Sequence, residues 1–259
     1  MKLSALFALL FVLNLIFNPV FGFDHQHRIF DEILKENVII KNRKSRVHYD
    51  RIQNYPKALQ QYLKSIESVK FDEYKSWNDP KKIAFLVNAY NALTIQLILT
   101  KYPNLKSIKD LGGFFSGPWK KEFFTLFGKK TNLNYIEHGI LRKEFDEPRI
   151  HFALVCASIG CPPLRNEAFT SEKLELQLND AVQNFLQDPD NNRYDNREKT
   201  LYLSSVFNWF PEDFEKTTGS VEAFVAPWIT SDQVEQKEIL SRKVTIKYVD
   251  WDWSLNKAE

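Results

Sequence analysis

Residues 83–99 read IAFLVNAYNALTIQLIL. The run is apolar nearly all round, so a helix built from it has no water-facing side and belongs inside a core. Asn78-Asp79-Pro80 stands before it. That is an Asx cap followed by proline in the first turn, and Tyr102-Pro103 supplies the stop, so a helix is predicted over residues 81–101. Asn88, Asn91, Thr94 and Gln96 interrupt the apolar surface, which argues against a membrane span. Asn88 and Asn91 are three apart and share a face. Buried amides must find partners. The pair therefore either fastens a neighbouring loop or lines a site, and both residues stand as candidate substrate-binding positions.

Outside this helix the chain is mixed. Its 259 residues carry 35 basic and 33 acidic side chains, a net charge of +2. That balance gives no basic field for nucleic acid. No glycine-rich phosphate cradle occurs among the 8 glycines, so nucleotide binding of that kind has no support. Lys2 opens an apolar stretch over residues 3–17, Asn18-Pro19 breaks it, and Val20-Phe21-Gly22 follows. This layout predicts a secretory signal cut after Gly22, leaving residues 23–259 as an exported, periplasmic or extracellular chain. No cysteine follows the apolar stretch, so a lipid anchor is not expected. A retained membrane anchor is the alternative, but the stretch is shorter than the ~20 residues a spanning helix needs.

Further along, residues 56–66 show helical apolar spacing, with proline at the first position. DLGGFFSGP (110–118) concentrates glycine in one loop. Residues 134–142 read as a helix with Ile136, Ile140 and Leu141 on one face. RIHFALV (149–155) is a short apolar run read as a buried strand. CASIGCPPL follows as a constrained loop. A helix is predicted from about 170 to 186, strands over 200–204 and 244–249, and an aromatic turn over 207–214. The expectation is one helix-rich α+β domain over residues 23–259, with a small, mostly antiparallel sheet and a buried central helix.

Residues 137–161 gather Glu137, His138, His151, Cys156 and Cys161. These are the residue types of a Cys–His–carboxylate hydrolase: thiolate nucleophile, imidazole base, and an acid to orient the imidazole. On a strand, His151 and Cys156 would be about 16 Å apart and point to opposite faces, which favours His138 as base. Cys161 precedes Pro162-Pro163 and is read as capping a helical turn, where the dipole lowers thiol pKa. Cys156 is followed by amides that could form an oxyanion nest. The order of candidates is Cys161 as nucleophile, His138 as base, Glu137 as a poorly aimed orienter, then Cys156 and His151. A Cys156–Cys161 disulfide is the structural alternative in an exported protein. Two Cys and two His also match a zinc ligand set, but the usual spacings are missing, so neither metal nor cofactor is expected. Trp209, in an aromatic cluster, is core or the wall of a substrate cleft.

The stretches AFLVNAYNAL (84–93), YIEHGILR (135–142), EPRIHFALVCASIGCPPLR (147–165), SSVFNWFPEDF (204–214) and DWSLN (252–256) resemble the domain-of-unknown-function family 547, over about residues 82–256. Leu86 stands where that family often has an aromatic. The resemblance implies no assigned activity, though some members have been viewed as similar to cysteine peptidases. Two functions are therefore expected in competition. One is an exported cysteine-dependent hydrolase of amide or thioester bonds, acting on a peptide or small molecule. The other is a non-catalytic extracytoplasmic binding or envelope-associated module whose cysteines form a disulfide.

Overall fold

A computed structural model describes residues 22–113 and 117–259. The segment read as a signal therefore lies almost wholly outside the described residues, as does part of the glycine-rich loop. The chain starts with α1 (Arg28–Asn37), a hairpin of β1 (Val38–Lys41) and β2 (Lys44–Val47), and the short helices α2 (Tyr49–Asn54), α3 (Lys57–Ser68) and α4 (Phe71–Ser76). Then comes α5 (Asp79–Leu99), the helix read from its apolar run. Asn78 caps it, its side chain accepting from the Lys81 amide at 3.1 Å. From Ile83 to Ile95 every residue of α5 is buried. α5 is the one described helix long and apolar enough to cross a membrane, and most of that surface is covered by the fold. Each Leu, Ile or Phe so buried contributes about 1.5–3 kcal/mol.

A second hairpin, β3 (Phe124–Leu126) with β4 (Lys129–Thr131), leads to a π-helical segment, Tyr135–Leu141, and its last turn α6 (Arg142–Glu144). Next come a 3-10 turn at Pro148–Phe152 and α7 (Leu174–Leu186). The remainder is β5 (Arg193–Asp195), β6 (Thr200–Ser204), α8 (Val206–Trp209), α9 (Pro211–Thr218), α10 (Val221–Ile229), α11 (Gln233–Leu240) and β7 (Thr245–Val249). The architecture is α+β, as expected, but its strands fall into three small sheets rather than one. Within these sheets the strand pairings are antiparallel except β6 with β7, which run parallel.

Two local expectations are corrected. Residues 149–155 do not form a strand. Pro148 sits at the first helical position, and the Glu147 carboxylate accepts from the Arg149 amide at 3.1 Å. Capping and proline thus start a 3-10 turn, which brings His151 round to the Cys156 side. The segment 207–214 is also no simple turn. α8 and α9 meet there, with Pro211 opening α9 and Glu212 and Asp213 in its first turn.

Two apolar clusters fill the interior. The larger surrounds α5 and takes in α1–α4 and the hairpins. The smaller packs α7, β6 and α8–α11 around Phe152, Phe185, Phe207 and Phe214. Adjacent residues of the 3-10 turn serve both, since Ile150 belongs to the first and Phe152 to the second. The candidate site lies where these clusters meet.

Candidate functional site

A cavity of about 260 Å³ is lined by Glu137, His138, His151, Cys156 and Cys161 together. All five sequence candidates for chemistry therefore share one space. The two sulfurs are joined in a disulfide. Cys161 is buried and Cys156 half-buried. Trp119, Trp209, Phe210, Trp251 and Trp253 form the walls, with Tyr90 also facing in. Trp209 lies 4.7 Å from Trp251 and 5.9 Å from Trp253, centroid to centroid. It is 42% exposed, so it is rim, not core.

The cysteine loop is pinned from two sides. From α5, Asn91 donates to the Ala153 carbonyl at 2.9 Å and accepts from the Val155 amide at 2.9 Å. Asn88 makes the same paired contact with Phe169. Both amides are thus committed to backbone, and neither lines the cavity. From the far side, residues 251–256 lie across the loop. Ile159 and Gly160 donate to the carbonyls of Ser254 and Asp252, each at 2.9 Å. A Cβ on Gly160 would come within 2.9 Å of the Asp252 nitrogen, so only glycine permits this approach.

These contacts overturn two details of the sequence reading. The amides after Cys156 do not form an open oxyanion nest, because those of Ile159 and Gly160 are occupied. No helix follows Cys161; residues 162–165 are irregular, since two consecutive prolines remove the donors a helix requires. Other donors attend this sulfur instead. The Cys156 amide donates to Cys161 Sγ at 3.0 Å, and the Ser158 hydroxyl lies 3.4 Å from it. Trp251 Nε1 holds that hydroxyl at 2.9 Å. Hydrogen bonds of this kind favour a thiolate over a thiol.

The histidines are anchored by residues the sequence reading left out. Asp213 accepts from His151 Nε2 at 2.7 Å. Arg142 grips the same carboxylate with two contacts, 2.6 Å from Nε and 3.0 Å from Nη2. Burial opposes the Asp213 charge, but the His151 and Arg142 hydrogen bonds overcome it and hold the carboxyl well below its usual range. With Nε2 donating to Asp213, a neutral His151 carries its lone pair on Nδ1. Its ring stacks on Phe210 at 4.3 Å and 12°. Arg142 lies over the same ring, at 4.8 Å.

His138 is held differently. Arg142 Nη1 donates to His138 Nδ1 at 3.0 Å, which leaves the proton on Nε2. Burial lowers the His138 pKa, and the positive charge of Arg142 lowers it further against the pull of Glu137. A neutral ring with a fixed Nε2–H is a hydrogen-bond donor, not a base. Glu137 stands 3.9 Å from that Nε2, too far for a hydrogen bond. Its charge is felt instead by the buried Tyr90 hydroxyl, whose pKa burial and then Glu137 push up. Of the two rings, His151 thus has its Nε2 on Asp213 and its Nδ1 left over as an acceptor, while His138 has its Nδ1 on Arg142 and offers an Nε2–H donor.

Fold and cavity together define a helix-rich α+β protein with an aromatic-walled Cys–His site. Residues 74–186 match the family described as "Protein of unknown function, DUF547", and the chain resembles that family. The matched span includes Arg142, both cavity histidines and both cysteines, but stops before Trp209 and Asp213. No curated protein and no solved structure matches the chain.

Proposed function

We propose that this cavity is the active site of an exported cysteine-dependent hydrolase, and that the disulfide is its resting form. The observation carrying this reading is the shared cavity: Cys156 and Cys161 beside a His151 whose proton position is fixed by Asp213. A dithiol reductant opens the disulfide, giving two thiols while the reductant becomes a disulfide. Cys161, with the Cys156 amide and Ser158 hydroxyl as donors, then attacks the acyl carbon of an amide or thioester. His151 Nδ1 takes the thiol proton and returns it to the leaving group. The Nε2–H of His138 is available to the carbonyl oxygen. Water attacks the acyl-enzyme and regenerates the thiol. The Trp walls suit the flat or apolar part of a peptide or small-molecule substrate.

A second reading has its own support in the closed disulfide: a binding module with no free nucleophile. One experiment separates them. After treatment with a dithiol, the hydrolase is alkylated by iodoacetamide near neutral pH at Cys161, and it cleaves a panel of acyl esters and thioesters. Cys161→Ser abolishes both. Reduced protein that alkylates slowly and cleaves nothing would leave only the binding module.

A further inference from the structure

A separate feature lies at Phe23-Asp24-His25, none of which lines the cavity described so far. Phe23 is anchored, its ring 5.0 Å from Phe85 and 5.8 Å from Trp77. His25 stands edge-on to Trp77 at 4.4 Å. Five buried side-chain polar atoms lack a partner among the described residues, and two of them are His25 Nδ1 and His27 Nε2. Buried imidazole nitrogens are normally satisfied, so this pair calls for an explanation. The backbone adds a second oddity. The amides of Gln26, His27 and Arg28 all donate to Asp24. Those of Asp24 and His25 donate to no described group.

We propose that cleavage after Gly22 turns Phe23-Asp24-His25 into a copper(II) site. A chain beginning at Phe23 has a free amine, two amide nitrogens and then the Nδ1 of a third-residue histidine. Those four nitrogens close fused chelate rings in one plane. Square-planar nitrogen ligation selects copper(II) or nickel(II), and copper(II) binds more tightly in the general order of divalent metals. Binding displaces the two amide protons and the ammonium proton, so affinity rises with pH. The fold sacrifices little for it. The two amides are unengaged, and the described contact that must yield is that of the Phe23 nitrogen with Glu73 Oε1 at 3.3 Å. The proposal shares the export step with the hydrolase reading and nothing else.

The test uses two chains, one starting at Phe23 and one retaining Gly22 in front of it. The pair differs by a single exposed residue, so folding is matched. With copper(II) added at pH 7.4, the Phe23 chain is expected to bind one equivalent, show the electron paramagnetic resonance of a planar four-nitrogen centre, and lose Trp77 emission. Retaining Gly22, or His25→Ala, is expected to weaken binding by at least about 100-fold, beyond what outer-shell changes cost. Equal binding by the Gly22 chain, or no planar four-nitrogen spectrum from the Phe23 chain, overturns the site. N-terminal sequencing of the exported protein must return Phe23. Any other start overturns the site while leaving the hydrolase reading to its own test.

Discussion

The two asparagines of α5 and the two histidines of the cavity are both buried or half-buried polar pairs, yet they are held in opposite ways. Each asparagine uses its amide oxygen and nitrogen on backbone groups, Asn88 at Phe169 and Asn91 at Ala153 and Val155. Nothing is left over for a ligand. Each histidine is tied at one ring nitrogen only, His151 to Asp213 and His138 to Arg142. The second nitrogen keeps its donor or acceptor character, and both rings border the cavity. Complete satisfaction marks a structural clamp; half satisfaction beside a cavity leaves a nitrogen for a ligand.

Substitutions can break this contrast. The largest effect is expected from Asp213→Asn. It removes the anchor that sets the His151 tautomer, and on the hydrolase reading the turnover of reduced protein should fall about 10⁴-fold, as in the Ser–His–Asp triad. Circular dichroism should stay native, and the acid limb of the pH profile, set by protonation of His151, should shift or vanish. An equally inactive protein that has also unfolded would make Asp213 a clamp like the asparagines. Next comes Asn91→Ala. It strands the buried Ala153 carbonyl and Val155 amide, at about 1–3 kcal/mol for each unsatisfied group. Urea unfolding should show that loss, and a loss under about 0.5 kcal/mol would remove the clamp argument.

A third test moves to a histidine outside the cavity. His27 is 1% exposed. Burial, aided by the neighbouring His25, lowers its pKa from 6.5 to about 3. The unfolded chain therefore holds the extra proton across that window, and stability falls as pH drops from 6.5 towards 3. The slope for one proton is at most about 1.4 kcal/mol per pH unit. Denaturant midpoints measured over this range should show a shallower fall in His27→Gln. An unchanged slope would mean that other groups carry the acid sensitivity. The smallest effect is expected at the rim. Trp209→Ala should leave stability within about 0.5 kcal/mol and weaken ligand binding by about 0.5–1.5 kcal/mol, read by calorimetry with any substrate the screen identifies.

How much of this was legible from the chain alone follows from where the information sits. α5 was readable because its cap, proline and apolar run are contiguous; it begins two residues before the predicted start and ends two before the predicted stop. The strand assigned to residues 149–155 failed because a short apolar run looks alike in a buried strand and a buried turn. Glu147-Pro148 did carry the helical start signal, and reading it would have put His151 near the cysteines. The five chemical side chains were gathered because they lie within 25 residues of sequence. Asp213 was missed although its segment was singled out, since its approach to His151 spans 62 residues and no local period encodes such a meeting. Tautomers were beyond reach for the same reason. They depend on Arg142 and Asp213 meeting across 71 residues.

The strap across the cysteine loop has a consequence in time. Trp251 holds Ser158 from 93 residues downstream, and the carbonyls of Asp252 and Ser254 hold Gly160 and Ile159. During synthesis, the segment carrying Cys156 and Cys161 emerges long before the residues that pin it. Until they arrive, the two sulfurs sit on a loose loop beside a half-built wall. Assembly order thus opens an interval in which the two cysteines exist before the cavity that will hold them.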